Sequence, residues 1–180
     1  MNSLKNKVLS ITIVVLTGSW ILFTYFSNLN NNNEIYSAPQ KGFLAPDFKL
    51  NDIDGKEYQL SEFKDHLVII NVWASWCKPC QYEMPAMQKI YDQYKEEGLI
   101  LLAVNNTYQD SVSNVLNFVK SNQLTFPILL DVEGDVSTLY KVQALPSTYF
   151  IDRSGMISEI IIGGPMSEAL IESKIIEMDN

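Results

Sequence analysis

The chain has 180 residues, 47% of them hydrophobic, enough for one domain with a sizeable core and some additional sequence at one end. Setting aside Lys5 and Lys7 from the 13 basic residues leaves 11 against 21 acidic ones, a balance that argues against nucleic acid or anionic lipid as a partner. Two cysteines and one histidine fall short of the four ligands of a structural zinc site.

The additional sequence is N-terminal. Val8 to Phe26 carries no charge, and its nineteen residues reach roughly 28 Å as a helix, about one hydrocarbon thickness. Lys5 and Lys7 precede it, so the segment reads as an uncleaved signal anchor, with residues 1–7 cytoplasmic and everything after Phe26 outside. A cleaved signal peptide is the alternative, but the nearest small pair, Ser37-Ala38, lies a dozen residues downstream. No cysteine follows closely enough for a lipoprotein anchor. Residues 27–41, with an asparagine run from Asn30 to Asn33, read as a flexible tether.

A folded domain is expected from residue 42 to 180. Ala45 to Leu50 and Glu57 to Leu60 flank Asp54-Gly55 and predict a β-hairpin. His66 to Trp73 is an almost continuous apolar run, as in a strand buried on both faces. Its only histidine, His66, reads as a surface residue at the strand's start. Next comes Trp73-Ala-Ser-Trp76-Cys77-Lys78-Pro79-Cys80-Gln-Tyr-Glu83-Met-Pro85, which holds both cysteines. Met84, Met87, Ile90, Tyr91 and Tyr94 recur at helical steps, predicting a helix from Cys80 to Glu97 that Gly98 ends.

Leu99 to Val104 predicts a second buried strand, Asp110 to Ser121 a helix, Phe126 to Leu130 a third strand, and Val136 to Tyr140 a short helix. Leu145 to Asp152 and Met156 to Ile162 predict an antiparallel pair turning at Arg153-Ser154-Gly155. Pro165 is expected to open a last helix, to about Glu177. This order is mixed α/β, and the cysteine pair sits at the C-terminal end of a central strand, where chemistry gathers in open α/β sheets.

Cys77 falls at a helix N-terminus, where free N–H groups, the helix dipole and the neighbouring Lys78 favour a thiolate. It is therefore the expected nucleophile. Cys80, one turn further in, is placed to resolve a mixed disulfide by attacking the sulfur of Cys77. The competing reading is an inert bridge, but so short a loop gives little chain-entropy stabilisation. Glu83 lies on the same helix face as Cys80 and can exchange a proton with it; its structural reading is a carboxylate favoured by the helix start.

Trp-Cys-x-Pro-Cys between strand and helix, followed by Leu145-Pro146-Ser-Thr, resembles the thioredoxin superfamily. Gly42 to Phe48, Phe126-Pro127 and Phe150 to Gly155 make the chain similar to its ResA/TlpA group of membrane-anchored, extracytoplasmic thiol-disulfide oxidoreductases. The resemblance implies a thioredoxin-like α/β fold, a central mixed sheet flanked by helices, with an N-terminal β-hairpin and an inserted β-α element, preceded by one transmembrane helix. Pro146 matches the superfamily's cis-proline, which turns the Leu145 backbone toward substrate, and Trp76 beside the nucleophile shapes docking. The superfamily's usual buried aspartate is replaced by Asn71, so Glu83 is expected to take over its proton transfer.

The expected activity is reduction of disulfides in client proteins at the outer face of the cell membrane. Apocytochrome c awaiting haem attachment is the client that the resemblance implies, with a spore-envelope client as a variant. A membrane thiol donor of the CcdA kind supplies electrons, and no separate cofactor is required. A disulfide-forming oxidase is the competing direction. A peroxiredoxin-like peroxidase is disfavoured because Pro-x-x-x-Thr/Ser-x-x-Cys is absent, and a copper or haem carrier because the spacing is not Cys-x-x-x-Cys with a later histidine.

Overall fold

The computed structural model describes residues 16–22, 24 and 37–179. The chain divides into two units, Met1–Ile35 and Tyr36–Asn180. In the first, residues 16–22 and 24 are helical; the rest of the expected spanning segment, residues 1–7 with their expected cytoplasmic placement, and residues 27–36 of the expected tether lie outside the described residues. Among the described residues no helix is long and apolar enough to cross a membrane.

The second unit starts earlier than the expected boundary at Gly42. Ser37 bridges to Leu44, the Ala38 N–H donates to the Leu44 carbonyl, and Lys41 pairs with Glu159. The end of the expected tether is thus bonded into the domain.

Strands β1 (Lys49–Asn51) and β2 (Glu57–Gln59) form the expected hairpin. The Ile53 N–H, donating to the Ile128 carbonyl, ties it to the main sheet. That sheet has the order β5-β4-β3-β6-β7, built from β3 (Leu67–Trp73), β4 (Leu99–Asn105), β5 (Ile128–Leu130), β6 (Ser147–Ile151) and β7 (Ile157–Ile162). β3, β4 and β5 are parallel, while β6 and β7 run antiparallel. The helices are α1 (Lys78–Tyr94), α2 (Val112–Asn122), α3 (Asp135–Leu139) and α4 (Glu168–Met178). This is a thioredoxin-like fold, a central mixed sheet with flanking helices.

Every residue of β3 is buried, as its apolar run requires. Alternation along the strand sends Ile69 and Trp73 toward Met84, Met87 and Ile90 of α1 and Ile171 and Ile175 of α4. Val68, Ile70 and Val72 face the opposite layer, with Phe48, Leu60, Val136 and Tyr149. The same period of two places Asn71 on the α1 side, the one polar step in that row.

Two differences in where elements start bear on the site. α1 begins at Lys78 rather than Cys80, because Cys77 itself serves as N-cap: its sulfur accepts from the Cys80 N–H at 3.3 Å. α4 begins at Glu168, three residues after Pro165. Ser167 caps it by accepting from the Leu170 N–H, and Pro165 belongs instead to a strap, residues 163–166, with a cis Gly164–Pro165 bond.

Candidate active site

Cys77 and Cys80 are joined in a disulfide at the mouth of α1. Both are buried, Cys77 at 4% exposure and Cys80 at 0%, so the two differ little in shelter in this disulfide form. Lys78 directs its ammonium to Gln81 Oε1, and the Gln81 amide donates to the Ser75 carbonyl at 2.6 Å.

The turn before the pair is pinned by Asp110. Its carboxylate accepts from the Ser75 N–H at 2.6 Å, the Ser75 hydroxyl at 2.8 Å, the Asn105 amide at 3.1 Å and the Ser111 N–H at 2.8 Å. Burial pushes the Asp110 carboxyl up, but these bonds together more than offset it and hold the group below its ordinary range. Trp76 follows directly; its ring is half-exposed and its indole N–H donates to the Gln109 carbonyl at 2.9 Å. Trp73 is fully buried against Phe118 and serves packing.

Glu83 is fully buried, although carboxylates are seldom left without a cation there. Oε1 accepts from the Asn71 amide at 2.8 Å and Oε2 from the Met166 N–H at 3.2 Å. Burial pushes its carboxyl up to about 6; the bonds from Asn71 and Met166 pull the other way without cancelling the effect. It therefore sits near half-ionisation at mildly acidic pH, one helical turn from Cys80, where side chains at i and i+3 are neighbours.

Asn71 explains how so buried a group can change charge. Its Nδ2 donates both to Glu83 and to Thr148 Oγ1 at 2.9 Å, while its own Oδ1 is buried without a partner. Turning the amide over would let Oδ1 accept from the Thr148 hydroxyl and from a protonated Glu83. The residue thus suits either protonation state, leaving one atom unpaired each time.

On the far side, Leu145–Pro146 is cis, and the Pro146 carbonyl accepts from the Gly163 N–H at 2.7 Å. The Leu145 N–H and C=O have no hydrogen-bond partner among the described residues. Gly164 lies between: a Cβ there would come within 2.8 Å of Glu83 Oε2 and 2.9 Å of Pro146 Cγ. The structure thus gathers Cys77, Cys80, Glu83, Leu145, Pro146 and Trp76 at one end of the sheet. Sequence reasoning missed Gly164, Met166 and Asp110 as site residues; here Pro165 signalled only the start of a helix.

The sequence profile of the AhpC/TSA family matches residues 42–160. The chain belongs to the AhpC/TSA family. Within this thioredoxin-like family it is similar to the thiol-disulfide oxidoreductase ResA of Oceanobacillus iheyensis, with 38% identity over 156 residues covering 84% of this chain and 79% of that protein. Among solved structures it matches StoA from Bacillus subtilis with a TM-score of 0.64, 30% identity, and coverage of 72% of this chain and 96% of that one. A candidate thiol:disulfide interchange protein DsbE from Chlorobium tepidum gives a TM-score of 0.70 at 30% identity, covering 77% of this chain and 97% of that one. This AhpC/TSA member is a thiol-disulfide oxidoreductase of the ResA type, and Cys77-Lys-Pro-Cys80 is its disulfide.

The Glu83 environment predicts a pH signature. Folding raises this carboxyl from 4.5 to about 6, so between those values the native state holds a proton that the unfolded chain releases, and stability falls as pH rises. The loss is about 2 kcal/mol, complete above the folded value and absent below the unfolded one. Glu83→Gln removes this decline. The Gln amide keeps both bonds once Asn71 turns over, so urea unfolding at pH 4.5 and pH 7 should show the variant gaining on the parent across that window. An identical decline in both proteins would mean that Glu83 does not titrate there.

Proposed function

We propose that the protein is an extracytoplasmic reductase of client disulfides, held at the cell membrane by the segment Val8 to Phe26. The observation that carries the direction is the buried Glu83 carboxyl beside Cys80. A negative charge close to the pair opposes thiolate stabilisation, and a weakly stabilised thiolate makes the dithiol form the better electron donor.

In the reduced protein the Cys77 thiolate attacks one sulfur of a client disulfide, forming a mixed disulfide as the client's other sulfur leaves and takes up a proton. Cys80 then gives its proton to the Glu83 carboxylate and attacks Cys77. The mixed disulfide breaks, the second client sulfur leaves as a thiolate, and two electrons have passed to the client. Glu83 returns its proton as the client thiolate departs. The unpartnered Leu145 main chain offers the client a strand-like edge during these steps. A donor dithiol of the CcdA kind would restore the reduced pair.

The resemblance to ResA-type proteins supports apocytochrome c, with its Cys-x-x-Cys-His, as the client; a spore-envelope protein is the variant. The reduction potential tests the direction. A value near thioredoxin's, about −270 mV, is expected, and one near DsbA's, about −120 mV, would reverse the reading to disulfide formation. Reduction of an oxidised Cys-x-x-Cys-His peptide, with peroxide and other disulfides as comparators, tests the client class.

A further inference from the structure

The edge of the sheet beyond Trp76 carries a groove that the exchange chemistry does not use. It encloses about 660 Å³ between the turn after β4 and the end of α3, and Asn106, Tyr108, Glu133, Thr138, Lys141 and Gln143 line it. The lining of the groove adjoins residues of the redox site at two points. At one flank, Gln109 accepts the Trp76 indole N–H; at the other, Gln143 lies two residues before Leu145.

Tyr108 forms one wall, and its backbone and the base of its side chain are held in place. Its N–H donates to the Asp131 carbonyl at 3.0 Å, and its Cβ and Cγ lie against Gly134, where a Cβ would approach to 3.4 Å. Asp131 is in turn fixed, since its buried carboxylate accepts from the Val136 N–H at 3.1 Å and from Ser137 N–H and Oγ–H at 2.8 Å. Yet the Tyr108 side chain is 69% exposed. A tyrosine has only two side-chain torsions to fix, so an exposed ring loses little conformational entropy when a partner covers it, which is the usual character of a binding anchor. At the groove floor Asn106 is more than nine-tenths buried, and its Oδ1 accepts no hydrogen bond. Glu133 and Lys141 give the rim one charge of each sign, so net charge does not select the occupant.

We infer that this groove binds the extended client segment flanking the reacting cysteine, with an apolar side chain over Tyr108. Trp76 orients the disulfide at Cys77, and the groove selects among clients by the sequence beside it. The inference rests on the reductase reading above, and it adds that flanking sequence, not the disulfide alone, sets client preference.

Three oxidised substrates separate the two ideas: a Cys-x-x-Cys peptide with long flanks, the same peptide trimmed of its flanks, and hydroxyethyl disulfide. The variants are Tyr108→Ala, which removes the ring, and Thr138→Trp, which fills the groove from an exposed position on α3. Both should reduce the trimmed peptide and hydroxyethyl disulfide at the parent rate, showing an intact fold and redox pair. For the long-flank peptide, kcat/KM should fall about tenfold in each. An unchanged long-flank rate in either variant, or an equal fall for all three substrates, overturns the groove assignment. A parent protein that reduces none of the three overturns the reductase reading instead.

Discussion

Replacing Cys77 with serine abolishes turnover against every disulfide, whereas replacing Cys80 with alanine stops the protein after its first bond-forming step. The difference follows from position. Cys77 is the N-cap of α1, with the helix's free N–H groups aimed at its sulfur, and the Cys80 N–H already contacts it at 3.3 Å. A serine hydroxyl caps that helix at least as well, so loss of activity in Cys77→Ser does not report loss of the helix. Losing the bridge costs about 2 kcal/mol in the chain-entropy account, because the closed ring is short. Cys80→Ala leaves the attacking thiolate but removes the group that would release it, so client and protein accumulate in a 1:1 mixed disulfide. Non-reducing electrophoresis and intact mass should show that adduct for Cys80→Ala and none for Cys77→Ser. Sustained turnover by Cys80→Ala would show that client release proceeds without an internal resolving thiol, and would remove the reason for a proton acceptor at Glu83.

The exchange centre was legible in the sequence because its parts are local. Strand β3, the Cys77–Cys80 spacing and the start of α1 lie within one continuous stretch, where apolar runs and helical periodicity fix direction. Glu83 was legible for the same reason, being one turn from Cys80. Asn71 stood out only against the resemblance, and its partner Thr148 came from 77 residues away. The strap was not legible. Pro165 carried a helix-opening signal, but Ser167 caps α4, and the Met166 N–H is used on Glu83. Nothing local announces that a main-chain amide 83 residues downstream will meet a carboxylate. The anchoring of Trp76 through Ser75 and Asp110 was hidden likewise, since Asp110 reads from sequence as the start of a helix.

Gly164→Ala should uncover Glu83 and shift the pH dependence of exchange downward. Gly164 is absent from the residues with positive φ, so its need for glycine is one of space. An added Cβ would lie 2.8 Å from Glu83 Oε2 and 2.9 Å from Pro146 Cγ, closer than such atoms approach. Neither neighbour can retreat. The carboxylate is held by Asn71 at 2.8 Å and Met166 at 3.2 Å, and Pro146 is a ring whose carbonyl is held by Gly163 at 2.7 Å. The strap must lift instead, which breaks the Met166 bond and admits water. Overpacking of this kind costs roughly 1–3 kcal/mol of stability. Because burial is what raises the Glu83 carboxyl to about 6, hydration returns it toward 4.5, and the limb of the pH–rate profile that reports it moves to lower pH. Gly163→Ala provides the contrast: φ there is +83° with nothing within 4 Å, so an alanine strains the backbone by about 1–2 kcal/mol without touching Glu83. The two variants should lose similar stability, yet only Gly164→Ala should move the titration. A matching shift in both would place the control of Glu83 in the strap's backbone conformation, and no shift in either would mean that the strap does not set the carboxyl's environment.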